Sequence, residues 1–169
     1  RNMDIHVFSN RGASGIDGII ASALGAAAGG EHVTLLIGDL AFYHDLNSLL
    51  FIQKYDLKLT IILINNDGGG IFQRLPIAGY EPQFTKLFLT PHGLEFGPAA
   101  ELFGLDYHQV ETPKAYQEAV ISALAKQVAV LIEVRGDASF HEATRQKLDA
   151  QLNQSILEIV QQKIKRNTE

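Results

Sequence analysis

Residues 59–70 read LTIILINNDGGG, and this stretch decides the fold because it joins an apolar run to an abrupt polar end. The residues at 59–64 do not alternate with charged ones, which is typical of a strand buried on both faces of a parallel sheet. Residues 33–37, VTLLI, form a second such run, and Gly38 and Asp39 follow it directly. The sequence therefore predicts two buried strands that each end in polar residues.

Further strand-like and helix-like segments alternate along the chain. The other strand-like runs lie at 6–9, 107–110 and 128–134, and the helical segments lie at 15–28, 45–55, 97–103 and 113–126. This alternation favours an α/β fold with a doubly wound, mostly parallel sheet, which binds ligands at the carboxyl ends of its strands. Residues 67–96 are rich in Gly and Pro and are predicted to form a long functional loop. Residues 139–166 are predicted to form a terminal helix that packs on the sheet or on a neighbouring domain.

The composition limits the classes of function. A chain of 169 residues with 46% hydrophobic and 20% charged residues predicts one compact domain spanning 1–169. The net charge of −5 leaves no basic face for nucleic acid, and the absence of cysteine excludes disulfides and thiolate metal sites. No run approaches the ~20 apolar residues of a membrane span, so we expect no membrane anchor. The absence of cysteine leads us to expect a reducing, cytoplasmic location. Because a strand-like run follows Arg1 almost at once, we also expect the chain to be part of a longer protein.

Polar residues at the two strand ends suggest a metal site. The carboxylate of Asp39, the amide oxygen of Asn66 and a backbone carbonyl in the following glycine turn would form an incomplete octahedron of oxygen ligands. Mg²⁺ accepts such a set when a phosphate supplies further ligands, and backbone N–H groups after Asp39 could hold that anion. Each half alone is weak evidence, because Gly-Asp is common and Asn-Asn-Asp-Gly is first of all a turn sequence. The glycines at 12–18 do not fit the dinucleotide fingerprint.

Three segments in this order resemble one family of thiamine diphosphate enzymes. They are SNRGASGIDG at 9–18, GDLAFYHDLNSLL at 38–50 and NNDGGGIFQRLP at 65–76. They are similar to the C-terminal, diphosphate-binding domain of the 2-succinyl-5-enolpyruvyl-6-hydroxy-3-cyclohexene-1-carboxylate synthase family. Leu40 stands where most thiamine diphosphate enzymes have glycine, but this family also has leucine there. The resemblance covers about the first 140 residues and implies the thiamine-diphosphate-binding fold.

The resemblance also implies roles for individual residues. The Mg²⁺ ligands would be Asp39, the Asn66 side chain and the Gly68 carbonyl, and the amides of Leu40 and Ala41 would face the diphosphate. Ile16 would be the apolar wedge that bends the cofactor so that its amino-pyrimidine reaches the thiazolium carbon. The substrate pocket would contain Arg11, whose guanidinium can bind a carboxylate through two hydrogen bonds, and the apolar residues Ile71, Phe72 and Leu75.

The family reaction decarboxylates 2-oxoglutarate and adds the resulting succinyl carbanion to isochorismate in menaquinone biosynthesis. Family members supply an activating glutamate from an N-terminal domain of a partner subunit, so the resemblance implies missing N-terminal domains and a homodimer or homotetramer in the full-length enzyme. We expect the isolated chain to bind Mg²⁺ and thiamine diphosphate weakly and to catalyse little. The alternatives are another thiamine diphosphate decarboxylase, an acetohydroxyacid-type synthase, or a binding module that kept the fold and lost the chemistry.

Several of these residues have simpler interpretations. Arg11 could pair with Asp4 or Asp17, and Ile16, Ile71 and Leu75 would by default be core residues. His44 is expected to order the first turn of a helix, and Asp67 to form a turn. A metal cluster formed by His92, Glu95, His141 and Glu142 has no support from their spacing.

Overall fold

The computed structural model describes residues 5–10 and 15–168, apart from the side chains of residues 162 and 164–168. Two compact units make up the chain. The first contains residues 1–66 and 92–135, and the second contains residues 67–91 and 136–169.

The first unit is an α/β layer structure. Its strands are β1 (Val33–Gly38), β2 (Leu59–Asn65), β3 (Asp106–Val110) and β4 (Val130–Arg135). Its α-helices are α1 (Ile19–Ala27), α2 (Asp39–His44), α3 (Leu50–Tyr55), α4 (Gly97–Leu102) and α5 (Pro113–Lys126), and a 3₁₀ turn at Leu46–Leu49 precedes α3.

All neighbouring strands in the described sheet are parallel, and their order is β1-β2-β4-β3. The register pairs Gly38 with Ile64 and Asn65 with Arg135, so the carboxyl ends of β1, β2 and β4 lie side by side. This arrangement confirms the predicted parallel α/β sheet. It also brings the polar residues after β1 and β2 to one edge, as parallel strands require.

Helices cover both faces of the sheet. On one face, a buried cluster includes Ile20 of α1, Phe42 of α2 and Ile61 of β2. On the other face, Ala119 and Ala123 of α5 pack with a second cluster of buried residues from β3 and β4. Strand β2 is buried at almost every position, which explains its uninterrupted apolar sequence.

The predicted first strand is wrong. Residues 5–10 have no regular secondary structure, and the side chains of Val7 and Phe8 are 86% and 85% exposed. A run of four residues gains few ladder hydrogen bonds, and its β propensity depends on which neighbours it can pack against. The helix predicted at 15–28 begins only at Ile19, because Gly18 has a left-handed backbone conformation with φ of 66°.

The second unit contains short turns and one long helix. The turns are Gly70–Arg74, Pro76–Gly79 and Thr85–Leu89, so the predicted loop is partly ordered into helical turns. Helix α6 (Ala138–Thr168) includes the predicted range 139–166 and contacts the turn at Gly70–Arg74. Among the described residues, no helix combines the length and the apolar character that crossing a membrane requires.

Candidate functional site

Asp39 lies at the carboxyl edge of the sheet, as the first residue of α2 directly after β1. The residue is buried, at 3% exposure. Oδ1 accepts the backbone N–H of Leu40 at 2.7 Å, and Oδ2 accepts the backbone N–H of Asn66 at 3.1 Å. The structure therefore brings Asp39 and Asn66 together, as the parallel sheet predicts. Their role as metal ligands stays a prediction.

The two amides predicted to face a diphosphate lie in the first turn of α2. The N–H of Leu40 is donated to the carboxylate of Asp39 in this structure, which orients the carboxylate. Ala41 is half-buried and packs against the core cluster on that face of the sheet. Because helix α2 begins where β1 ends, both amides are carried by a segment fixed to the sheet edge.

His92 is a neighbour of Asp39 that the sequence did not predict. Its Nε2 lies 3.2 Å from Oδ2 of Asp39. The backbone N–H of Leu94 donates to Nδ1 of His92 at 2.9 Å, so in the neutral ring the proton is on Nε2, the nitrogen that faces Asp39. The ring also contacts Phe96 edge to face, at 5.9 Å between centroids. Since His92 meets Asp39 only through tertiary packing, no local sequence pattern signals the contact.

Glu133 is a second residue that the sequence analysis missed. It lies in β4 and is fully buried, at 0% exposure. Its Oε1 accepts hydrogen bonds from Nδ2 of Asn65 at 2.8 Å and from Nε of Arg135 at 3.0 Å, and its Oε2 accepts one from the hydroxyl of Tyr107 at 2.6 Å. Arg135 also pairs with Glu95 through Nη2, at 2.9 Å. The signal that could have revealed this network is a single acid inside the apolar run 128–134.

The surroundings of Tyr107 and Arg135 in this network keep both side chains protonated. Burial, together with the hydrogen bond to Glu133, raises the pKa of Tyr107 well above its usual range. Hydrogen bonds to Glu95 and Glu133 raise the pKa of Arg135 above the usual, already high value of an arginine. Tyr107 therefore remains a hydrogen-bond donor, and Arg135 remains a cation, across the whole physiological pH range.

The remaining predicted residues of the first unit lie before α1. Ile16 is in a bend, and its side chain is 44% exposed, so it is not a core residue. Its predicted role as the cofactor wedge stays a prediction. Arg11 lies outside the described residues.

The predicted residues of the second unit lie in and around the turn Gly70–Arg74. Gly68 has φ of 126°, and a Cβ atom there would be 2.2 Å from the carbonyl oxygen of Leu89, so only glycine fits. The side chains of Ile71, Phe72 and Leu75 are 69%, 37% and 46% exposed. Exposure on this scale contradicts the simpler interpretation of Ile71 and Leu75 as core residues.

Two acidic or basic neighbours of the site have other roles. His44 is the last residue of α2 and is exposed, so the prediction that it orders the first turn of a helix is wrong. Asp45 is buried, and its carboxylate accepts the N–H of Ala21 at 2.9 Å and the hydroxyl of Ser48 at 2.6 Å. Asp45 thus ties α1 to the turn before α3, which is a structural function.

The donor chemistry at the sheet edge fits Mg²⁺. Asp39 offers a buried carboxylate that accepts two backbone N–H groups, and Asn66, which donates one of them, offers a hard amide oxygen in its side chain. Within residues 5–10 and 15–168, no three His, Asp or Glu side chains cluster in a way that could hold a metal ion. The predicted set contains a single acid and is incomplete without oxygen ligands from a phosphate.

Comparisons with known proteins give a consistent result. Residues 4–134 match the family model described as "Thiamine pyrophosphate enzyme, C-terminal TPP binding domain". A 2-succinyl-5-enolpyruvyl-6-hydroxy-3-cyclohexene-1-carboxylate synthase of Roseiflexus sp. (strain RS-1) is 49% identical over 146 residues, covering 85% of this chain and 25% of that relative. The synthase of the same name from Halorubrum lacusprofundi is 44% identical over 164 residues, covering 90% of this chain and 26% of that relative. The chain thus spans about a quarter of the length of the curated relatives it matches.

Solved structures with a similar fold include two decarboxylases. The thiamine diphosphate-dependent 4-hydroxybenzoylformate decarboxylase of Rhodococcus jostii RHA1 matches with a TM-score of 0.61 and 29% identity, over 70% of this chain and 23% of that one. The benzoylformate decarboxylase of Polynucleobacter necessarius matches with a TM-score of 0.61 over 73% of this chain and 23% of that one. At 20% identity, the second likeness concerns the fold alone. The resemblance predicted from three sequence segments is confirmed by the family model and the curated relatives.

Proposed function

This chain belongs to the family of C-terminal TPP-binding domains of thiamine pyrophosphate enzymes, and on that premise we propose that it holds the Mg²⁺-bound diphosphate of thiamine diphosphate. The observation that carries the proposal is the pairing of Asp39 with Asn66 at the carboxyl edge of the sheet, through a hydrogen bond of 3.1 Å. Open α/β sheets bind ligands at this edge.

Different residues of this chain would bind different parts of the cofactor. Asp39, the Asn66 side chain and the Gly68 carbonyl would ligate Mg²⁺, and the amides of Leu40 and Ala41 would face the diphosphate. Ile16, which is exposed, would contact the apolar middle of the cofactor and keep it bent. When bound, thiamine diphosphate supplies the electron sink for decarboxylating a 2-oxo acid.

For the complete enzyme, we propose the reaction that the family resemblance implies. The enzyme would decarboxylate 2-oxoglutarate and add the succinyl unit to isochorismate in menaquinone biosynthesis, in the cytoplasm and as a homodimer or homotetramer. The identities of 49% and 44% to synthases of that name support this choice over a benzoylformate-type decarboxylase, at 29%. Ile71, Phe72 and Leu75 would form the apolar wall of the substrate pocket and exclude water from the reacting carbon.

Binding of thiamine diphosphate is expected to depend on Mg²⁺. Titration calorimetry on the isolated chain should give weak binding with millimolar Mg²⁺ and at least about tenfold weaker binding with EDTA, because without the cation the negative diphosphate would face the negative carboxylate of Asp39. Thiamine without its diphosphate serves as the control ligand, and its binding should not respond to Mg²⁺. Equal affinity for thiamine diphosphate with and without the metal would contradict the proposed site.

Arg11 is expected to determine the preference for a dicarboxylic substrate. In the complete enzyme, Arg11→Ala should lower kcat/KM for 2-oxoglutarate by about tenfold to a hundredfold, because a charge-assisted carboxylate contact is lost. Arg11→Lys keeps the charge but cannot form two parallel hydrogen bonds to the carboxylate, so its kcat/KM should lie between those of the wild-type enzyme and Arg11→Ala. Cofactor affinity, measured on the same variants, should change less than threefold. A loss of cofactor affinity as large as the loss of turnover would place Arg11 at the diphosphate instead.

A further inference from the structure

Two hydrogen bonds hold the end of β2 from opposite sides. The side chain of Asn65 donates to Glu133, which belongs to β4, and the backbone N–H of Asn66 donates to Asp39, which follows β1. Strand β2 lies between β1 and β4 in the sheet. The Asn65–Asn66 segment is therefore fixed laterally by both of its neighbours.

Glu133 is an unusual residue for its position. It is fully buried in β4, two residues after the fully buried Leu131 on the same face of the sheet. A buried carboxylate is costly, and replacing a buried ion pair with apolar residues is often neutral or stabilising, so fold stability alone does not explain an acid here. Its three donors come from Asn65, Tyr107 and Arg135, so the carboxylate is held in a single orientation.

We propose that Glu133 is a positioning residue that acts through Asn65 to fix the backbone of Asn66 at the sheet edge. Rotation of the Asn65–Asn66 peptide breaks the bond from the Asn66 N–H to Asp39, and the bond from the Asn65 side chain to Glu133 resists the movement of residue 65 that accompanies such a rotation. By resisting that rotation, Glu133 keeps the backbone of Asn66 in one conformation. The side-chain amide oxygen of Asn66 can then bind a cation with little further loss of conformational entropy. Only the last step, the effect on Mg²⁺, rests on the proposed function.

An exchange of functional groups between residues 65 and 133 tests this contact. Asn65→Asp places two carboxylates about 3 Å apart, in place of the amide donor, and should loosen the segment. Adding Glu133→Gln restores an amide–carboxylate pair with the roles reversed, and the amide oxygen introduced at position 133 can still accept from Tyr107. Arg135 loses its acceptor at position 133 but keeps its ion pair with Glu95. Glu133→Gln alone should have a small effect, because the new amide oxygen can accept from Asn65 while its NH₂ group donates to the Tyr107 hydroxyl.

The first readout needs neither metal nor cofactor. Hydrogen exchange of the Asn66 backbone N–H, measured by NMR, reports the bond to Asp39 directly. In Asn65→Asp, we expect the Asn66 N–H to exchange about tenfold faster than in the wild-type chain, which is the factor that corresponds to losing one hydrogen bond. In the double variant, the exchange rate should return to within about threefold of the wild-type rate. Asn65→Ala, which removes the donor without adding charge, should fall between these values.

The matched control is Thr60→Val, which disturbs the opposite end of the same strand. Thr60 is fully buried and hydrogen-bonds to His32 at 3.1 Å. This variant should lower the melting temperature without a selective effect on the Asn66 amide. If it speeds Asn66 exchange as much as Asn65→Asp does, or if the double variant is no better than Asn65→Asp, the positioning role is wrong.

The second readout is the Mg²⁺ concentration that half-saturates thiamine diphosphate binding, which should rise about tenfold in Asn65→Asp and recover in the double variant. The exchange rate could recover in the double variant while thiamine diphosphate binding by the wild-type chain shows no dependence on Mg²⁺. That result would support the positioning of Asn66 and contradict the proposed function. Should Asn65→Asp not fold, recovery of folding by Glu133→Gln supports the contact. If the double variant does not fold either, wild-type exchange of Asn66 in Asn65→Ala overturns the proposal.

Discussion

Asp39→Asn is expected to weaken Mg²⁺-dependent binding of thiamine diphosphate by more than about a hundredfold. The substitution preserves the shape of the side chain but removes the single negative charge of the predicted ligand set. It also places an NH₂ group where Asp39 now accepts N–H groups from Leu40 or Asn66. Loss of a charged hydrogen-bond acceptor and of a metal ligand together exceeds the roughly tenfold effect of an ordinary hydrogen bond.

Asp45→Asn is the matched control for this experiment. Asp45 is also buried and also accepts two hydrogen bonds, but both come from groups that tie α1 to the turn before α3. We expect it to lower the melting temperature and to leave the Mg²⁺ dependence intact. If the two variants weakened binding equally at saturating Mg²⁺, Asp39 would be a structural acid and the metal site would lie elsewhere.

The isolated chain is expected to show no carboligation when it is given 2-oxoglutarate and isochorismate. The curated relatives are about four times as long as the part that this chain matches, and the resemblance implies that an activating glutamate comes from an N-terminal domain. General acid–base catalysis typically contributes about 10²–10⁴-fold, so without the activating glutamate the turnover of the isolated chain should be lower than that of the complete enzyme by at least about 10²-fold.

Restoring the remainder of the enzyme should recover turnover. We expect fusion in cis to be more effective than addition in trans, because a covalent link raises the effective concentration of the missing groups. The complete enzyme carrying Asp39→Asn is the control and should stay inactive. Turnover by the isolated chain at a rate near that of the complete enzyme would contradict the proposed division of the active site.

The sequence was most informative where interactions between residues close in the chain determine the structure. Helix α5 spans the predicted residues Pro113–Lys126, because the Thr112 side chain caps it by accepting the N–H of Ala115 and because proline suits the first helical position. The continuous apolar run of β2 correctly predicted a strand buried on both faces. The same prediction is wrong for β1, because β1 is an edge strand of the described sheet and Leu36 is 68% exposed. The run at 6–9 is not a strand, because a short strand depends on a pairing partner that its own sequence does not specify.

Prediction of the candidate site was limited in the same way. The meeting of Asp39 with Asn66 follows from the rule that parallel strands end at one edge, so the sequence was sufficient for it. His92 was not predicted because it reaches Asp39 only through the packing of distant segments, whereas Glu133 could have been found as the single acid inside the apolar run 128–134. The part played by Ile16 and by the residues around the turn Gly70–Arg74 stays a prediction.

The strand order has a consequence for how the chain folds as it leaves the ribosome. Strand β4 is the last of the four described strands to be synthesised, yet it lies between β2 and β3. The β1–β2 pair, with Asp39 and Asn66 at its end, can form early, whereas β3 has no described pairing partner until residues 130–135 emerge. Non-local parallel pairing of this kind is slow. The sheet edge is therefore assembled in two stages, and the arrival of Glu133 completes it.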